Sequence, residues 1–159
     1  MNKRVILSIL VENYSGTLSK VSGLFTRRGY NIDSLNVAET QDPNISRITV
    51  AVTGDSYIIE QITKQLHKLI NVIKITTLSE ETSVQKELMM IKVSAVGSKR
   101  SEIMQIVDIF KANISYVNNK NMIVVITGSE DKNNAFLEML KPYGIVEMTR
   151  TGPTALERC

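Results

Sequence analysis

The 159-residue sequence has no tryptophan, one histidine (His67), one cysteine and three prolines. The cysteine is the terminal Cys159, so no internal disulfide is available and a reducing compartment suits the chain. One histidine and one terminal cysteine are too few for a zinc site and give no Cys–His pair for nucleophilic catalysis. There is no Gly-x-x-x-x-Gly-Lys-Ser/Thr loop for phosphates and no Gly-x-Gly-x-x-Gly. No apolar run approaches the ~20 residues of a membrane span. Met1-Asn2-Lys3-Arg4 leads into a strand-like run rather than a signal peptide. A net charge of +3 is too weak to argue for nucleic acid or a membrane surface. The expectation is a soluble, cytoplasmic protein without metal or catalytic residues of its own.

What is present is a pattern that occurs twice. Val5 to Val11 is almost continuously apolar, as in a central strand. Leu18, Val21, Leu24 and Phe25 then recur at helical spacing, and Gly29 stands where a left-handed C-cap ends a helix. Asn31 to Thr40 reads as a second strand whose alternation slips between Ile32 and Leu35, which predicts a bulge. After a turn at Gln41-Asp42-Pro43-Asn44, Ile45 to Thr53 alternates, with Ile48, Val50 and Val52 on one face. Gly54-Asp55-Ser56 opens a helix with Ile58, Ile59, Ile62, Leu66, Leu69 and Ile70 as its buried stripe, and Val72 to Leu78 closes the unit. The order is βαββαβ.

Ser79 to Gln85 is polar, and Glu80-Glu81 within it reads as a solvated turn. The order then returns: a strand over Glu87 to Val96, a helix over Ser98 to Ala112 with Ile103, Ile106, Val107 and Phe110 inward, and a hairpin of Ile114 to Asn118 with Asn121 to Thr127. A helix over Glu130 to Leu140 and a strand over Tyr143 to Arg150 complete it. The boundary expected between the units is 1–78 and 79–159. Units of roughly 75–80 residues are marginal alone, so pairing with another unit or chain is expected. His67, Arg27-Arg28 and Lys99-Arg100 read as solvated helix positions.

The order βαββαβ is also that of RNA-recognition motifs, which stack bases on aromatics of the third strand. Ile45 to Val52 and Met122 to Ile126 carry no aromatic, so the platform is missing. The stretch that asks for a ligand is the first helix entry, Asn13-Tyr14-Ser15-Gly16-Thr17-Leu18. Unpaired N–H groups and the positive end of the helix dipole suit a small carboxylate there. A plain structural reading stands beside it, with Asn13 or Ser15 as the N-cap and Gly16 as a tight turn. The corresponding place in the second half, Val96-Gly97-Ser98-Lys99-Arg100, lacks the asparagine and carries two cations, so no ligand is expected there.

Asn13-x-x-Gly16-x-Leu18, Leu24-Phe25 and Arg28-Gly29-Tyr30-Asn31-Ile32 resemble the signature of ACT domains, which bind amino acids. Residues 10–21, 23–35, Asp42-Pro43 and 60–69 resemble the regulatory small subunits of acetolactate synthase over essentially the full chain, most densely in the first 70 residues. The resemblance implies an α+β fold of two tandem βαββαβ ferredoxin-like units, the first an ACT domain that forms a homodimer. It implies a large catalytic subunit as partner, a separate chain using thiamine diphosphate, Mg²⁺ and FAD, with no cofactor in this subunit. That enzyme condenses two pyruvates, or pyruvate with 2-oxobutyrate, on the way to branched-chain amino acids. The small subunit would activate it and confer feedback inhibition by valine. The implied effector site is Asn13 with the backbone of Ser15, Gly16, Thr17 and Leu18, faced by Asn31 and Ile32 of a second copy, with Ala38 and Gln61 nearby. The alternatives are a free-standing amino-acid sensor for another enzyme, a transcriptional regulator, for which no helix-turn-helix is visible, and an enzyme in its own right.

Overall fold

Every strand of the first unit runs antiparallel to its neighbours, which is what βαββαβ requires when each helix crosses one strand position. A computed structural model describes residues 2–159. The first unit comprises β1 (Lys3–Glu12), α1 (Thr17–Arg27), β2 (Ile32–Glu39), β3 (Ile45–Gly54), α2 (Ser56–His67) and β4 (Val72–Leu78), with sheet order β2-β3-β1-β4. Alternate residues of β1 and β3 point at the helices. Leu7, Ile9, Val11, Ile48, Val50 and Val52 meet Val21, Leu24 and Phe25 of α1 and Ile62 and Leu66 of α2 in one core. The opposite face of β1 is buried as well: Ile6 packs with Ala51, Leu78 and Ala155. That explains why β1 reads as continuously apolar rather than alternating.

The helix ends follow their residue types. At the end of α1, Gly29 takes φ 68°. Its N–H donates to Thr26 O at 3.2 Å, and the Tyr30 N–H donates to Phe25 O at 3.0 Å. This paired bonding is a Schellman motif, and the Tyr30 ring packs edge-on against Phe25 with centroids 6.4 Å apart. The bulge expected in β2 is present: the register with β3 shifts between Ile32 and Ser34. Asp55 caps α2 by accepting from Ile58 N–H at 2.8 Å. Ile70 departs from the expectation. The helix stops at His67, so Ile70 lies in the following turn at 87% exposure instead of on the buried stripe.

The second unit repeats the plan with β5 (Ser83–Ser94), α3 (Lys99–Ile109), β6 (Asn113–Val117), β7 (Asn121–Gly128), α4 (Glu130–Leu140), a short 3-10 turn (Lys141–Tyr143) and β8 (Ile145–Arg150), in sheet order β6-β7-β5-β8. Met89, Ile91, Val93, Met122, Val124 and Ile126 face Ile103, Ile106, Val107, Phe136 and Leu140. α3 ends in the same Schellman pattern, with Ala112 N–H donating to Val107 O at 2.9 Å and Lys111 to Asp108 O at 3.2 Å. Here a lysine, Lys111, sits at φ 55° where the first unit has glycine.

The compact units are the segment up to Val84 together with Thr154–Cys159, and Gln85–Pro153. The expected cut after Leu78 falls just ahead of a turn that closes on itself, with Ser79 and Thr82 bonded to each other. A short last strand, β9 (Thr154–Glu157), lies outside the repeated pattern. It rejoins the first unit through Ala155 and through the Arg158 N–H bond to Thr82 O at 2.8 Å.

Candidate functional site

β1 ends at Glu12, and Asn13, Tyr14, Ser15 and Gly16 turn the chain into α1. Asn13 N–H donates to Asn44 O at 2.8 Å, fastening the corner to the β2–β3 turn. The Asn13 side-chain amide donates to Pro43 O at 3.0 Å and to Glu39 Oε1 at 3.3 Å. Thr17 N–H then donates to Tyr14 O at 3.2 Å, and Gly16 between them has φ 87° and ψ −6°. Those are the dihedrals of the third residue of a type II turn, where only glycine sits without strain. A Cβ on Gly16 would meet nothing within 4 Å, so the requirement is conformational and the space over the turn is open.

Gly16 is also the N-cap of α1, and no side chain caps this helix. The reading of Asn13 or Ser15 as a structural N-cap therefore fails. α2 and α4, by contrast, are capped by Asp55 and Ser129. No acidic residue occupies the first turn of α1. The Leu18 and Ser19 N–H groups and the helix dipole thus face outward uncompensated, an arrangement that favours an anion.

The structure gathers Asn13, Ser15, Gly16, Thr17 and Leu18 into this corner, with Ala38 adjoining Glu39 at the near end of β2. Thr17 turns its side chain inward, where it is buried, so only its main chain faces the turn's exterior. Gln61 sits in the middle of α2, half-buried. Asn31 and Ile32 lie at the other end of the sheet. Ile32 pairs with Val52 and Val52 with Val5, whereas the corner follows Glu12. Seven residues of strand separate those levels, roughly 23 Å at about 3.3 Å each. One chain does not bring the two halves of the expected site together. Glu39, which the sequence reading did not single out, places a carboxylate at the corner through its bond to Asn13.

β2 is an edge strand. Leu35 and Val37 pair with Val50 and Ile48, so they point to the helix side, yet they are 37% and 42% exposed. An edge with apolar residues left open on its core-facing side is a template for strand pairing.

The matching corner of the second unit is filled. The Arg100 guanidinium, expected to be solvated, reaches back and donates to Ala95 O at 3.1 Å and to Asn118 O. A cation that would be unfavourable at the start of α3 is thereby spent on two carbonyls. That unit also holds a buried ionic cluster the sequence did not reveal. Glu87, 2% exposed, receives Arg150 Nη2 at 2.8 Å, and Asn133 Nδ2 donates to Glu87 O at 3.0 Å. Burial pushes the Glu87 carboxyl up, but hydrogen bonds and charge from Arg150, with help from Asn133 and Gly152, outweigh it and hold the carboxyl below its ordinary value. Positions 87, 133 and 150 are far apart in sequence, and only the repeat's topology joins them. Among the described residues no group of three His, Cys, Asp or Glu side chains is placed to hold a metal ion. Nor, among the described residues, is any helix long and apolar enough to cross a membrane.

Residues 7–74 match the family model for the AHAS small subunit-like ACT domain, and residues 86–159 match that for the small subunit of acetolactate synthase. A probable acetolactate synthase small subunit of Methanothermobacter thermautotrophicus is 49% identical over 154 residues, covering 96% of this chain and 92% of that protein. This chain belongs to the acetolactate synthase small-subunit family. A second relative, the acetolactate synthase small subunit of Haemophilus influenzae, is 46% identical over 98% of this chain and 96% of its own length. The crystal structure of the acetolactate synthase small subunit from Thermotoga maritima superposes with a TM-score of 0.91 at 39% identity, covering 99% of this chain and 98% of that one. Membership accords with the two tandem ferredoxin-like, ACT-type units described above.

Proposed function

We propose that this small subunit is a regulator: it activates an acetolactate synthase large subunit and makes that enzyme subject to feedback inhibition by valine. Thiamine diphosphate, Mg²⁺ and FAD belong to the large subunit in this reading, and no residue of the present chain is assigned to them. The observation that carries the proposal is the uncapped start of α1 over an open left-handed glycine, beside Asn13 and Glu39. The Leu18 and Ser19 N–H groups suit the carboxylate of a free amino acid. The Asn13 amide hydrogens are already engaged by Pro43 and Glu39, so its carbonyl oxygen and the Glu39 carboxylate suit the ammonium.

The remainder of the site comes from a second copy. A two-fold antiparallel pairing of β2 (Ile32–Glu39) with itself sets Ile32 of one chain opposite Glu39 of the other. Asn31 of the second copy then stands beside Glu39 and Asn13, and Leu35, Val37 and Ile32 supply apolar walls for a branched side chain. The same pairing covers the exposed edge. A ligand bridging two copies stabilises that pairing by about 2.7 kcal/mol at 100 times its dissociation constant. If one pairing geometry activates the large subunit and another does not, valine need only favour the second.

The test is reconstitution. The purified chain is mixed with an acetolactate synthase large subunit, acetolactate formation from pyruvate is followed, and valine, leucine and isoleucine are titrated in turn. Activation by the chain and inhibition by valine are expected. A mixture whose rate equals that of the large subunit alone contradicts the proposal.

A further inference from the structure

The two units share a plan, so each serves as a control for the other. In both, the last residue of the first strand bonds to the residue just before the last strand. Glu12 N–H donates to Asn71 O at 2.9 Å, and Ser94 N–H donates to Gly144 O at 2.9 Å. In the first unit a side chain adds to this link. Asn71 Nδ2 donates to Thr17 Oγ1 at 3.3 Å, and Thr17 Oγ1 donates to Glu12 O at 3.2 Å. A closed triangle joins the end of β1, the first residue of α1 and the α2–β4 turn, with the Thr17 hydroxyl at its centre and out of solvent.

The second unit has glycine at the position of Asn71 and Lys99 at the position of Thr17. It folds the same sheet on the same main-chain bond without the brace. The fold therefore does not require the brace, and the brace occurs in the unit whose corner is open rather than in the unit whose corner Arg100 fills.

We propose that Asn71 is a positioning residue for the effector: through Thr17 it holds the Tyr14–Thr17 turn so that the Leu18 and Ser19 N–H groups present themselves to a ligand carboxylate. This rests on the valine reading above, and the experiment separates the two. Asn71→Ala, Thr17→Val, their double variant and Thr17→Ser are made in the full chain. Valine binding is measured by calorimetry, and exchange of the Thr17 and Lys20 amides is measured without ligand.

Asn71→Ala and Thr17→Val are each expected to weaken valine binding about tenfold, the scale of one hydrogen bond. The double variant should bind no more weakly than the poorer single, Thr17→Ser should bind as wild type, and melting temperatures should stay close together. The Thr17 amide, which closes the turn on Tyr14 O, and the Lys20 amide, which makes the first helical bond to Gly16 O, should exchange faster in Asn71→Ala. Wild-type valine affinity in both single variants, losses that multiply in the double, or unchanged amide exchange overturns the inference. So does a fall in melting temperature that Thr17→Ser shares. If the wild type binds no valine, the functional reading fails, and the exchange data alone decide whether the brace holds the turn.

Discussion

Replacing Gly16 by aspartate, with Gly16→Asn as its matched control, separates charge from shape at the corner. Both side chains tolerate a left-handed backbone better than most, and a Cβ there meets nothing within 4 Å, so each should fold at a cost of about 1 kcal/mol or less. They differ by one negative charge. At ~4 Å and an effective dielectric near 20, two carboxylates repel by about 4 kcal/mol. The corner is exposed, and solvent and salt reduce this to roughly 2 kcal/mol, about a 30-fold loss of affinity. Calorimetry with valine should give that ratio between the Asp and Asn variants, narrowing as salt is raised. In the reconstituted enzyme Gly16→Asp should lose valine inhibition and keep most of its activation. Equal valine binding by the two variants would refute the placement of a carboxylate over this turn.

Lys111→Gly relieves a left-handed lysine and should stabilise the protein by about 0.5–1 kcal/mol, read as a higher urea midpoint. The Glu87 carboxyl is held low in the folded state, so its contribution to stability is complete above its ordinary value of 4.5 and is lost as the pH falls through the lower folded value. Urea midpoints between about pH 3 and 6 should therefore fall with acid, and Glu87→Gln should flatten that dependence. Arg150→Ala leaves the Glu87 carboxylate buried and unpaired and should cost about 3 kcal/mol at neutral pH, measured by urea unfolding. Val37→Lys puts a charge on the open edge of β2 and should shift the chain toward monomer in sedimentation, with valine affinity falling in parallel.

Both βαββαβ units were legible because apolar spacing changes from one strand or helix to the next at Gly29, Pro43, Asp55 and Pro142. The β2 bulge was legible from the slipped alternation at Ile32 and Leu35. The corner was legible as a loop with an early glycine, but the sequence left open whether a side chain capped the helix. The uncapped helix start and the engagement of Asn13 by Pro43 and Glu39 appear only in three dimensions. What stayed hidden is non-local. Glu87 looks like any strand glutamate until Arg150 and Asn133 close over it. Asn71 looks like a turn residue until Thr17 is beside it. Arg100 looks solvated because its partners are main-chain carbonyls, which carry no sequence signal. Ile70 was misplaced because helical spacing continues for a turn after the helix has stopped.

Valine regulation of this kind requires one valine molecule to touch two places that a single chain keeps roughly 23 Å apart. Amide chemical shifts followed through a valine titration test this directly. Residues 13–18 and Asn31–Ile32 should shift together with one dissociation constant. Shifts confined to either segment, or to neither, would contradict it.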